Sequence, residues 1–256
     1  MELSVLIAGS GFPKLRSAVT LLREDGRATL VDTGLVEDRP RLLAALRAHG
    51  LGPKEIDCVV ATHLHYDHCG NHLLFSRARF VVGATEFEDA RGFMDAFHRD
   101  ASPDKRDTAD ILRRRNQAVK DFYVRSIVRE VTRNLDFYER VRTGDPRFAL
   151  ADGGCVLGRS IELLATPGHT AGHLSVVAHD VRVEGSASPQ DVLIAGDALV
   201  TRRSLDDDGE GDPHLAANVE SFRRTRRRLR DGYRYFVPGH DAFVDACEQV
   251  ALEAGA

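Results

Sequence analysis

Residues 56 to 72, IDCVVATHLHYDHCGNH, restrict this chain more than any other stretch. An apolar run, Ile56 to Ala61, reads as a buried strand, and directly beyond it stand His63, His65, Asp67 and His68. Three imidazoles and a carboxylate at a strand exit form a cluster of metal donors. The donors suit zinc, and iron or manganese as well, while the lack of a thiolate among them argues against a closed structural zinc finger. His63 and His65, two positions apart, point the same way on an extended segment. Asp67 and His68 follow after the chain has turned and can face a different point, so one short motif can supply two metals. Cys69 adjoins the cluster, but nothing besides adjacency makes it a nucleophile.

The rest of the chain supplies a setting for that motif. Residues 2–8, 18–22, 28–34 and 79–84 read as strands, and Arg39 to His49 as a helix with Leu42, Leu43 and Leu46 on one face. From 85 to 145 the character becomes helical, with Ile111, Leu112, Val119, Phe122, Val128, Val131 and Leu135 at helical spacing. The whole chain, 1–256, is therefore expected to be one domain with this helical insert, which would act as a lid or as the surface of a homodimer. Strands return at 161–179, 191–200 and 233–243, with a helix over Leu215 to Leu229 between the last two.

Charge and leader signals narrow the partners. With 35 basic and 39 acidic residues the net charge is -4, which gives no overall reason to expect nucleic acid or an anionic membrane. The basic cluster Arg223 to Arg228 is the best argument for an anionic partner, but it reads as a solvated helix face because Phe222 and Leu229 point inward. The start, MELSVLIAGSGF, has no basic region ahead of its apolar stretch, and no segment approaches the roughly 18 apolar residues of a membrane span. A cytoplasmic protein with a small-molecule substrate is expected. Cys58, Cys69, Cys155 and Cys247 contain no CxxC pair, so neither a disulfide framework nor a cysteine zinc site is indicated.

Further donors stand at other strand exits. His169 follows ELLATPG, Asp197 follows VLIAG and His240 follows YFVPG. Open sheets place ligand sites beyond the ends of their strands, so these exits can deliver their side chains to one edge.

THLHYDHCGN, TPGHTAGH, AGDAL and PGHD, in that order and with LVDTG upstream, resemble the metallo-β-lactamase superfamily. The resemblance spans about residues 1 to 245 apart from the helical segment. It implies an α+β fold, the four-layer αββα sandwich of that superfamily, with a helical insert. It further implies one metal on His63, His65 and His169, a second on Asp67, His68 and His240, and Asp197 bridging both, with two zinc ions as the expected cofactors. Asp32 and His173, and also Thr170, match positions that orient ligands by hydrogen bonds.

The expected chemistry is hydrolysis by a water activated between two cations about 3.5 to 4 Å apart, with Asp67 able to pass a proton to the leaving group and Asp197 holding the pair. HLHYDHCGN and GHD are similar to acyl-homoserine lactonases, and GHTAGH and GDAL also to glyoxalase II-type thioesterases, so a lactone or thioester in a small or medium-sized substrate is expected. The lactonases carry a Tyr soon after the bridging Asp; here Thr201, Arg202 or a residue of the insert would have to replace it. A phosphodiesterase or nuclease of the same fold, and a mononuclear iron dioxygenase using His63, His169 and Asp197 alone, are the alternatives.

Overall fold

The computed structural model describes residues 1–11, 15–100, 133–206 and 215–247. Two six-stranded sheets lie face to face. The first runs β1 (Glu2–Ile7), β2 (Val19–Glu24), β3 (Arg27–Val31), β4 (Cys58–Val60), β5 (Arg79–Gly83) and β6 (Phe148–Ala151) in spatial order. Its first two pairings are antiparallel and the remaining three parallel. The second holds β7 (Cys155–Leu157), β8 (Ile161–Ala165), β9 (Leu174–Val181), β10 (Gln190–Gly196), β11 (Tyr235–Pro238) and β12 (Val244–Asp245), antiparallel except for β10 with β11.

Alternation along the strands builds the layers. On β3 and β4, Val31 and Val60 face the space between the sheets, while Leu30 and Val59 face outward onto Leu42 and Leu46 of α1 (Arg39–Ala48). On β10 and β11, Ile194 and Val237 meet that same inner cluster, while Leu193 and Phe236 face out beside Leu229 of a late helix. Successive residues pointing to opposite faces make both sheets apolar on two sides, so each must be covered by helices. The result is the expected α/β/β/α order.

Local chemistry fixes several joints. The β2–β3 hairpin turns on Asp25 and Gly26, both at positive φ (50° and 77°), the pairing favoured in two-residue hairpins. After α2 (Tyr66–Cys69), the helices α3 (Ala84–Asp100) and α4 (Leu135–Thr143) close the first sheet through Val82, Phe87, Met94, Phe137, Tyr138 and Val141. These are the described ends of the 85–145 segment. Its middle, 101–132, with Arg113 to Arg115 and Tyr123, lies outside the described residues. No helix among the described residues is long and apolar enough to cross a membrane.

Three expectations are corrected. The helix placed from Leu215 begins only at Val219: α6 (Val219–Gly232) is capped by the Asn218 side chain accepting from Ser221 N–H at 2.9 Å, and Ala217 and Asn218 donate instead to the carbonyls of His169 and Gly168. A short helix, α5 (Arg203–Asp206), precedes it. The Arg223–Arg228 cluster is not a uniformly solvated face, because Arg226 is buried with its guanidinium 5.3 Å from the Phe222 ring centre, and Arg228 donates to the Ala165 carbonyl. The last strand is broken into β11 and β12 where Gly239 N–H turns aside to the carbonyls of Gly196 and Leu199.

Candidate metal centre

Ends of strands from both sheets meet at one edge. β4 runs into His63, β8 into His169, β10 into Asp197 and β11 into His240, and the first turn of α2 brings Asp67 and His68. Except for His65, which is exposed, all of these side chains are buried. Two sets of ligand atoms converge: His63, His65 and His169 in one, Asp67, His68 and His240 in the other. Asp197 lies between them. Its Oδ1 is 3.3 Å from His68 Nε2 and from His240 Nε2, and its Oδ2 is 3.3 Å from His169 Nε2.

Hydrogen bonds on the far side of each ring decide which nitrogen is free. The Nδ1 of His68 lies 2.8 Å from Asp32 Oδ2, that of His169 2.5 Å from the Leu215 carbonyl, and that of His240 2.9 Å from the Arg16 carbonyl. A carbonyl or carboxylate can only accept, so Nδ1 carries a proton and, in the neutral ring a metal requires, Nε2 presents a lone pair. His63 follows indirectly: the Thr62 hydroxyl donates to Asp32 Oδ2 at 2.8 Å, so its oxygen accepts from His63 Nδ1 at 3.1 Å. The bare His63 Nε2 and His169 Nε2 then stand 3.0 and 3.1 Å from His65 Nδ1.

That crowding fits a cation. A tetrahedral ion with bonds of about 2.0 to 2.1 Å holds its nitrogen ligands about 3.3 Å apart. In the second set, His68 Nε2 and Asp197 Oδ1 are fully buried and have no hydrogen-bond partner, an arrangement that is costly without a positive charge between them. The two sets differ in their proton affinity. Burial, with His68 and His65 beside it, holds His63 well below the ordinary imidazole range, and burial lowers His169 to about 4. Burial also opposes a charge on His68, but the carboxylates of Asp197, Asp32 and Asp67 outweigh it and raise that group well above the usual value. Asp197 is buried as well, which alone would raise it, yet His240, His68 and His169 hold it far below the carboxylate range.

Residues 13–240 match the family model of the metallo-beta-lactamase superfamily. The chain belongs to that superfamily of metallohydrolases. A probable metallo-hydrolase of Methanocaldococcus jannaschii is 27% identical over 62% of this chain and 51% of its own length. An N-acyl homoserine lactonase of Bacillus thuringiensis is 23% identical over 80% of this chain and 63% of its own. The chain thus spans between half and two thirds of these relatives. Among solved structures, a putative metallo-beta-lactamase of Thermotoga maritima superposes with a TM-score of 0.64 at 22% identity, covering 95% of this chain and 98% of the other. A dizinc quorum-quenching lactonase in complex with its product gives 0.54 at 17% identity, over 83% and 67%.

Supporting contacts within this superfamily member depart in part from those expected. Asp32, at φ 60°, accepts from Thr62 N–H as well as from the Thr62 hydroxyl and His68. His173 Nε2 accepts from Asp197 N–H at 3.1 Å, and its Nδ1 donates to Thr166 Oγ1 at 2.8 Å. Asp32 thus contacts the His68 ring and His173 the main chain of Asp197. The Thr170 hydroxyl has no hydrogen-bond partner, and Thr166, directly after β8, makes the contact to His173 instead. Gly239 is dictated by Asp197, because a Cβ there would collide with Asp197 Oδ1.

Several contributors were not visible in the sequence. Thr62 was missed although it directly precedes His63. The carbonyls of Leu215 and Arg16 could not be seen at all, since every residue has one. Leu64, between two ligands, has both backbone groups held from the outer helices: its N–H donates to Glu86 Oε1 at 2.9 Å and its carbonyl accepts from Tyr138 Oη at 2.8 Å. Cys69 is buried with its thiol 3.6 Å from Tyr138 Oη, and burial pushes it far above the thiol range, which makes it inert. Arg202 is engaged, its guanidinium bound through Nε and Nη2 to Asp241. His214 lies outside the described residues.

Proposed function

We propose that the protein is a dinuclear zinc hydrolase that opens an acyl ester-type bond, a lactone or a thioester, in a small or medium-sized substrate. One observation carries the reading: Asp197 directs one oxygen at each of two converging ligand sets, in which the Nδ1 protons of His63, His68, His169 and His240 point away. His63, His65 and His169 would hold one ion and Asp67, His68 and His240 the other. Zinc supplies Lewis acidity, which acidifies water and polarises a carbonyl oxygen.

The chain's own residues do the rest. Asp32, through His68, and the carbonyls of Leu215 and Arg16, through His169 and His240, fix the ring orientations before any substrate arrives. His173 fixes the main chain of Asp197. Asp67 Oδ2, 3.5 Å from His240 Nε2 and 3.8 Å from His68 Nε2, is placed to carry a proton towards a leaving group. The acyl preference rests on the lactonase names among the relatives and on the Arg223–Arg228 cluster, which among the described residues is not assembled into a basic face: Arg226 is buried and Arg228 is engaged.

Metal analysis of the purified protein, followed by a parallel screen of lactone, thioester, β-lactam and phosphodiester substrates, tests this. About two zinc ions per chain and turnover of a lactone or thioester are expected. One iron without zinc would point to the oxygenase alternative, and hydrolysis of the phosphodiester alone would replace the acyl assignment.

A further inference from the structure

The two ligand sets are held by different parts of the chain, and the second depends on three consecutive residues far from any motif. Arg16 offers the carbonyl that takes the His240 Nδ1 proton at 2.9 Å. Ser17, fully buried, donates its hydroxyl to the Asp67 carbonyl at 2.6 Å. Ala18 N–H donates to the Gly239 carbonyl at 2.7 Å, holding the turn that presents His240. Two of the three second-set ligands and the turn before one of them are therefore braced by residues 16–18. His63 and His169 rely instead on Thr62 and the Leu215 carbonyl.

This brace is itself anchored. Arg16 Nε donates to Asp38 Oδ1 at 2.6 Å, and the Asp38 side chain is only 4% exposed against 30% for Arg16. Asp38 stands in the turn that follows Asp32 and Thr33, and Thr33 N–H donates to the His68 carbonyl at 2.7 Å. A further bond from Ser10 N–H to the Arg16 carbonyl, 2.9 Å, holds that acceptor from the other side. A buried carboxylate facing an arginine on the same segment that aims His240 is an expensive feature to retain for stability alone.

We propose that the Arg16–Asp38 pair is a positioning device for the second metal: it fixes residues 16–18 and thereby the directions of His240 and Asp67, without touching the first set. The inference rests on the dinuclear reading above, and it assigns part of the metal affinity of the second position to an ion pair outside the ligand set. Removing an orienting partner of a ligand weakens metal binding about 10- to 100-fold.

The test is a zinc titration of chelator-stripped, full-length protein in competition with a colorimetric zinc chelator, repeated with cobalt(II) and read in the visible spectrum. Wild type, Arg16→Gln, Arg16→Lys and Asp38→Asn are compared, with circular dichroism to establish that each is folded. In Arg16→Gln the first equivalent should bind as in wild type and the second about tenfold or more weakly, with a changed cobalt spectrum for that equivalent only. Arg16→Lys, which keeps the charge, should recover part of the loss. An unchanged second equivalent in folded Arg16→Gln and Asp38→Asn, or equal weakening of both equivalents, overturns the proposal. Wild type that takes up fewer than two metals overturns the dinuclear reading itself, an outcome recognisable before any variant is made.

Discussion

Among the described residues, imidazoles and carboxylates meet in two places, and only one of them forms a candidate metal-ligand set. On the outer face of the second sheet, His179 lies between Glu162 and Asp191, its Nε2 3.1 Å from one carboxylate and its Nδ1 3.0 Å from the other. Both ring nitrogens have an acceptor, so the ring is a bridge between two anions and has nothing left to offer. At the strand ends the opposite holds: Nδ1 of His63, His68, His169 and His240 is satisfied from behind, and the remaining nitrogens converge. The residue types are the same. What separates an ion-pair cluster from a ligand set is whether lone pairs are left over and aimed at one another.

The largest effect that could break this contrast is on turnover. His63→Ala or Asp197→Asn should lower kcat/KM by about 10³-fold or more, since each removes part of a Lewis-acid site worth several kcal/mol, whereas Glu162→Gln should leave activity and metal content at wild-type levels. Equal losses at both places would erase the distinction. Metal removal comes next. Zinc at about 100 times its dissociation constant stabilises by about 2.7 kcal/mol, so chelation should lower Tm by about 5 to 10 °C for a chain of this size, and by the same amount in His179→Gln. A calorimetric scan checks both.

Thr62→Val sharpens the comparison from behind the ligands. It removes the hydroxyl that joins Asp32 to His63 and should weaken zinc binding about 10- to 100-fold while the fold persists, as measured by chelator competition.

The smallest effect is on pH dependence, and there one ring from each place, His169 and His179, should have opposite signs. In metal-free protein, burial lowers His169 to about 4 from an ordinary 6.5. Its contribution to stability is therefore present above pH 6.5 and lost as the pH falls through about 4. For His179 burial works against charge, but Asp191 and Glu162 raise the group above 6.5. That contribution is complete below pH 6.5 and lost as the pH rises through the raised value. The side chain is 33% exposed, so solvent screening limits it to under about 1 kcal/mol. Denaturation curves of wild type and His179→Gln from pH 4 to 8 measure the difference.

What could be read from the sequence followed from rarity and period. Histidines, and one aspartate, directly after apolar runs are uncommon enough that four strand exits could be matched to one edge, and the long β-strands and α1 were evident from their apolar spacing. β6 and β7 were not, because FALA and CVL are short runs on either side of Asp152, Gly153 and Gly154. Arg226 could have been placed: Phe222, Thr225, Arg226 and Leu229 fall at i, i+3, i+4 and i+7, one inward stripe, and the charge of the neighbouring arginines disguised it. The backing of His169 and His240 was hidden for a different reason. It consists of main-chain carbonyls, which carry no signature in a sequence.

Leu64 contributes no chemistry, yet its peptide groups have a mechanical consequence. Because its N–H is tied to Glu86 on α3 and its carbonyl to Tyr138 on α4, the link between His63 and His65 is clamped like a workpiece between two jaws. The bite of these two ligands is therefore set partly by helices that belong to neither sheet. Any load that shifts α3 or α4 must either break those bonds or be transmitted to the ligands, so the outer layer doubles as the gauge that sets the first ligand set.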